Sequence, residues 1–133
     1  MNGMKAVTDL AVFLSKNMSQ KVFKYKKALN YIGEYIVVNN LPFSFGSSLV
    51  GSLNVNIHVP NLGNGQADTK RMSEILNEIN LIIPHEALTD DFEPLEINGA
   101  YFSIESDSNL MSDNDNTHFI NLRVKVLYNA LNQ

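Results

Sequence analysis

No cysteine occurs among the 133 residues. Disulfides, thiol chemistry and zinc sites built on thiolates are therefore excluded, and a cytosolic origin fits. Long hydrophobic runs are missing too: no apolar stretch approaches the roughly 20 residues needed to span a bilayer. The opening stretch MNGMKAVTDLAVFLSKN lacks the apolar centre of a signal peptide, and Asp9 interrupts it. Arginine is scarce, with Arg71 and Arg123 alone, and the net charge is −4. That balance argues against a nucleic-acid binder.

What is present suits one domain over residues 1–133. A chain of this size buries roughly two thirds of its unfolded surface, enough for an independent core. With 44% apolar and 18% charged residues, disorder throughout is excluded. The charge is unevenly placed. Up to Val50, six lysines (Lys5, Lys16, Lys21, Lys24, Lys26 and Lys27) face only Asp9 and Glu34, and acids dominate afterwards. The segment KVFKYKK interleaves lysines with aromatics, as single-strand binders do. The plainer reading is a strand with lysines on its wet face. A basic end on an acidic chain also suits stacking against copies of itself or complementary neighbours.

Periodicity predicts an α+β fold: a mixed, largely antiparallel sheet of about five strands, with two amphipathic helices packed on it. Val7, Leu10, Ala11, Leu14 and Met18 form the stripe of a first helix, which Thr8 or Asp9 would cap. Short strands are expected at about 21–25 and 34–39. In SLNVNIHV, Leu53, Val55, Ile57 and Val59 alternate with Asn54, Asn56 and His58. A second helix is expected over about 67–83, with Met72, Ile75, Leu76, Ile79 and Ile83 inward and Pro84 as its stop. HEALTDDFEPL reads as an acidic connector. GAYFSIES and THFINLRVKVLY read as two further strands, with SDNDNT as the turn between them. In the last strand Ile120, Leu122, Val124, Val126 and Tyr128 face the core.

The chemical motifs mostly fail on inspection. GNGQADTK sits between a strand and a helix, where nucleotide-binding proteins hold phosphates. The dinucleotide pattern needs a third glycine, and Asp68 stands in its place. Lys70 is separated from Gly65 by four residues, whereas a phosphate-gripping lysine follows the last glycine directly. Asp68 puts a carboxylate where a phosphate would want the helix dipole, so it is expected as the helix cap. DNDN at 113–116 opens like a calcium loop, but its sixth position is His118 and its twelfth Val124. His58, His85 and His118 show no helical metal spacing, although His58 and His118 could meet across a sheet. Hydrogen-bonded or solvated histidines are the plainer reading. No serine sits in a nucleophile elbow. The expectation is a non-enzyme with no catalytic residue, no cofactor and no metal.

One loop is unusually apolar. NNLPFSF sets Leu41, Phe43 and Phe45 between strands, either as a lid folded on the core or as a contact site. Leu62 likewise lies in a turn. These four residues are the interface candidates.

The order of segments resembles the small tail-completion proteins of tailed bacteriophages and prophages, also called tail terminators or head–tail joining proteins. Similar members carry an E-x-I-V-I-N-x-L-P-like segment, matched here by Glu34, Ile36, Val37, Val38, Asn39, Leu41 and Pro42. A V-N-V-x-V-P-D-L-like strand corresponds to Val55, Asn56, Val59, Pro60 and Leu62, with Asn61 in place of the acid. A D-x-x-R helix start corresponds to Asp68 and Arg71, and an H-F-x-N-x-R-I-like strand to His118, Phe119, Asn121 and Arg123. The resemblance implies a virion structural protein made in the bacterial cytoplasm and located in the tail or neck. It implies a homo-oligomeric ring, hexameric by preference and dodecameric as an option. Such a ring caps the tail tube or neck and docks on the head–tail connector, with DNA passing through its lumen and no membrane involved. A small protein-binding adaptor with no virion role is the alternative, and a nucleotide-handling protein a remote one.

Overall fold

Helix α1 (Gly3–Asn17) forms because Ala6, Val7, Leu10, Ala11 and Leu14 share one face, and all five are buried. The computed structural model describes residues 2–43, 48–85 and 93–129. The helix starts earlier than its apolar stripe suggests. Asn2 is the cap and accepts from the Lys5 backbone N–H at 2.9 Å. Thr8 and Asp9, the expected caps, lie inside the helix, because Asp9 is instead buried against the ammonium of Lys5 at 2.7 Å and the amide of Asn98 at 3.1 Å. Helix α2 (Thr69–Ile82) starts where expected. Asp68 caps it, accepting from the Arg71 N–H at 3.1 Å, and Pro84 follows its end.

The strands are β1 (Lys21–Lys24), β2 (Tyr35–Asn40), β3 (Ser48–Pro60), β4 (Leu95–Ile97), β5 (Ala100–Asp107), β6 (Met111–Ser112) and β7 (Thr117–Asn129). Seven strands form one sheet among the described residues, where about five were expected. Its order is β1-β2-β3-β7-β5-β4, with β6 paired beside β7. Only β1 and β2 run parallel; the other pairs are antiparallel. The extra strands are β4 and β6. β4 emerges from the end of the acidic connector because Asn98 and Gly99 both take positive φ, 51° and 85°, the conformation of a tight hairpin turn. β6 is two residues long and carries no periodicity of its own.

Both helices pack on one face of the sheet. There Leu53, Val55, Ile57 and Val59 of β3 meet Leu122, Val124, Val126 and Tyr128 of β7, and all are buried. Met72, Ile75 and Ile79 of α2 close over them in the same cluster, and Leu76 is half-buried against it. The opposite face carries no helix among the described residues, and it is there that the polar chemistry gathers.

Candidate functional site

Register builds the densest constellation on the open face. Tyr35 on β2 pairs with His58 on β3, which pairs with Phe119 on β7. Cross-strand partners point the same way, so the three rings stack. Tyr35 lies 4.4 Å from His58 at 8°, and Phe119 lies 4.8 Å from His58 on its other side at 18°. Tyr31 and Phe23 add edge-on contacts. The turn between β6 and β7 folds acids onto this row. The Tyr35 hydroxyl donates to Asp115 Oδ2 at 2.7 Å, and the Lys27 ammonium lies 3.3 Å from the same oxygen. Thr117 donates to Asp115 Oδ1. His58 Nδ1 lies 3.4 Å from Thr117 Oγ1 and 3.5 Å from Asp113 Oδ2.

These contacts set the protonation states. Burial pushes the Tyr35 phenol up, and Asp115 adds to the effect. Burial also lowers His58, against the charges of Asp113 and Asp115. Asp115 ends below its ordinary value: burial opposes this, but the bonds from Thr117, Tyr35 and Lys27 outweigh it. A groove of about 470 Å³ opens here, rimmed by Tyr25, Lys27, Asn56 and Asn114. Tyr25 takes a positive φ of 68°, held by its N–H on the Val38 carbonyl and its hydroxyl on Asn40.

The chemistry of the cluster is one of mutual satisfaction. Ligand atoms of His58, Asp113 and Asp115 lie within 4.8 Å of one another. The donor set nonetheless suits a metal poorly, because both Asp115 oxygens are engaged and Lys27 already supplies a cation. Nor is this a nucleophile relay: Thr117 and Asp113 approach the same ring nitrogen, whereas a relay uses the two different nitrogens. His58 and His118 do not meet. His118 pairs with core-facing Val59, so it points to the other face and bonds Asn61 instead. No sequence signal marks this cluster, since residues 35, 58 and 119 meet only through strand register.

The sequence-derived candidates lie apart. Leu41 continues the β2–β3 hairpin, its N–H donating to the Ser52 carbonyl at 3.0 Å. Phe43 is half-buried against the core, on the face where Gly51 leaves room; a Cβ on Gly51 would meet its ring at 2.1 Å. Phe43 therefore occupies the lid position. Phe45 lies outside the described residues. Leu62 is 45% exposed in the turn after β3, on the order of 25 Å along that strand from the Leu41 end. In the glycine turn, the Leu62 N–H donates to the Gln66 carbonyl and the Gly65 N–H to the Leu62 carbonyl.

The segments that carry the family resemblance touch one another. Glu34 receives Arg71 through the Nε–Nη2 edge of the guanidinium, one bond to each carboxylate oxygen, with Nη2 at 2.9 Å. That pair ties the start of β2 to the first turn of α2, and Gln20 adds a bond at 3.0 Å. The bond from Arg71 first, then that from Gln20, outweigh burial and hold Glu34 below its usual range. On the open face Asn121 donates to Asn54 and Asn56, Asn54 donates to Asn39, and Arg123 donates to Asn54. These residues hold the sheet together as an amide ladder.

The sheet is also electrically lopsided. From Lys16 to Lys27 the chain has five lysines and no acid; from Glu93 to Asp107 it has four acids and no base. The first stretch contains outer strand β1 and the second outer strand β4, so opposite ends of one sheet carry opposite charge. Lys16, Lys21, Lys24, Lys26, Glu93, Glu96, Glu105 and Asp107 are all exposed. Exposed apolar side chains, Leu29 and Ile32, follow the basic strand. Among the described residues no helix is long and apolar enough to cross a membrane.

No family model matches the sequence, and no curated protein matches it either. Twelve solved chains match in fold. One, which bears a serial designation rather than a functional name, superimposes with a TM-score of 0.61 over 92% of this chain and 91% of its own, at 12% identity. At that identity the likeness extends to the α+β fold alone.

Proposed function

We propose that this chain is a structural virion protein of a tailed bacteriophage or prophage. In this reading it is a ring-forming subunit that caps the tail tube or neck and joins the tail to the head connector, with DNA passing through the lumen. The observation that carries the reading is the opposite charge on the two outer strands of a single sheet. A closed ring needs heterologous contacts, in which one surface meets a different surface on the next copy. Opposite edges of opposite sign favour that head-to-tail contact and disfavour like-edge pairs. The segments resembling tail-completion proteins give the ring its place in the virion. Leu62, exposed beyond the far end of β3, remains a candidate contact with a neighbour or the tail tube. The subunit acts by assembly and has no catalytic role in this reading.

Light scattering coupled to size-exclusion chromatography, followed by electron microscopy, tests the proposal. The expected result is a discrete ring, hexameric by preference, that co-sediments with tail-tube assemblies. A chain that stays monomeric at every concentration and ignores tail tubes would favour the adaptor reading.

A further inference from the structure

We infer that the outer edge of β1 is joined by β4 of a second copy, so that the sheet continues from one subunit to the next. This rests on the ring reading and names the surfaces that would make it.

Four observations converge. β1 pairs with β2 on one side, and its other side meets no strand among the described residues. β4 is likewise the last strand at the opposite end. Tracing directions across the sheet, β1 and β4 run the same way, so a head-to-tail continuation makes a parallel pair with the open faces aligned. In that arrangement Lys21, whose register partner is Tyr35 on the open face, lies beside Glu96, which reaches the same face through Tyr101. Cross-strand opposite charges stabilise such a pair.

The helix-side face fits as well. A hollow of about 490 Å³ flanks β1 there, lined by Val12, Ser15 and Lys16 of α1 and by Val22 and Lys24. Val12 is 48% exposed. The neighbour's half-buried Leu95 and Ile97 point to this face of the continued sheet and meet apolar surface instead of water. Lysines on a four-residue edge strand are a common guard against unwanted pairing. Here they repel another β1 and leave the acidic edge as the complementary partner, which is how a guard becomes a selector.

The cysteine-free chain allows a direct test. Lys21→Cys and Glu96→Cys are introduced singly and together, and the oxidised proteins are sized with and without reductant. Within one subunit the two positions are five strand spacings apart, roughly 24 Å, too far for an internal disulfide. The double variant should form a reducible ladder of linked subunits. Each single variant should stay unlinked, and a mixture of the two should stop at dimers. A double variant carrying Lys70→Cys with Glu96→Cys should form no ladder. Independently, Lys21→Glu with Lys24→Glu should raise the concentration needed for assembly by about tenfold or more. Adding Glu93→Lys with Glu96→Lys should restore it, with circular dichroism confirming folded chains throughout. Wild-type rings without a ladder, and without response to charge reversal, would overturn the strand pairing and leave the ring reading standing. A wild-type chain monomeric at every concentration, with no ladder, would overturn both.

Discussion

Gly51 illustrates how one missing side chain can seat another. This glycine lies on β3 opposite core-facing Val126 of β7 and past the last β2 partner, and the Phe43 ring fills the space a Cβ would take. Gly51→Ala is expected to displace the ring and destabilise the fold by about 1–3 kcal/mol in chemical denaturation. A neutral effect would mean that Phe43 is free to leave the core and meet a partner. His58 makes a second prediction, concerning pH. Its folded value is lowered from 6.5, chiefly by burial, so the unfolded chain binds the proton first. The stability it contributes is present above pH 6.5 and is lost as the pH falls from there through the folded value. Asp113 and Asp115 face the ring and moderate the loss, whereas the Lys27 ammonium adds to it. Denaturation midpoints should therefore drop between neutrality and mild acid, and His58→Phe, which keeps the stack, should flatten that part of the profile. Glu34 and Asp115, both lowered, act only at more acid pH, below 4.5 and 3.8. A profile that is flat from pH 7 to 5 in the wild type would contradict the assignment.

Elements are joined by a few specific ties as well as by the core. α2 is pinned to β2 by the two-pronged contact between Arg71 and Glu34. Lysine keeps the charge but lacks the fork. Arg71→Lys should therefore still cost about 1–2 kcal/mol, the scale of a lost charge-assisted hydrogen bond, and hydrogen exchange should increase first in α2. Core strands depend instead on shape. Leu122 is 1% exposed between β3 and β5, in the same core cluster as Met72, Ile75 and Ile79 of α2. Leu122→Ala should destabilise by about 2–5 kcal/mol; a loss below about 0.5 kcal/mol would place the residue on the surface.

For the whole molecule, the glycine turn and the charged ends lead to opposite expectations. Asp68 caps α2 with a carboxylate that a phosphate would have to approach. Titration calorimetry with ATP or NAD should therefore show no saturable heat at millimolar ligand. A micromolar site abolished by substituting Gly65 would revive the nucleotide reading. The charged ends, by contrast, make association dependent on ionic strength. Added salt should weaken subunit contacts in proportion to their screening.

Alternation was legible along the chain, and so was the cap of α2, whereas the cap of α1 falls on Asn2 instead of Thr8 or Asp9. Leu53 to Val59 and Leu122 to Tyr128 announce two long strands and the face each buries, because side chains alternate with a period set by local geometry. Asp68 announces its helix in the same way. Asn98–Gly99 is a hairpin signal that the sequence reading leaves unused, because the acidic run before it reads as a connector and hides β4. Other features had no local trace. β6 exists only because β7 supplies its hydrogen-bonding partner. The row of Tyr35, His58 and Phe119 and the grip of Arg71 on Glu34 depend on register between segments tens of residues apart. Local periodicity says which side of a strand is apolar. Strand order decides which residues become neighbours, and hence that the lysine-rich and acid-rich stretches end up at opposite edges of one sheet.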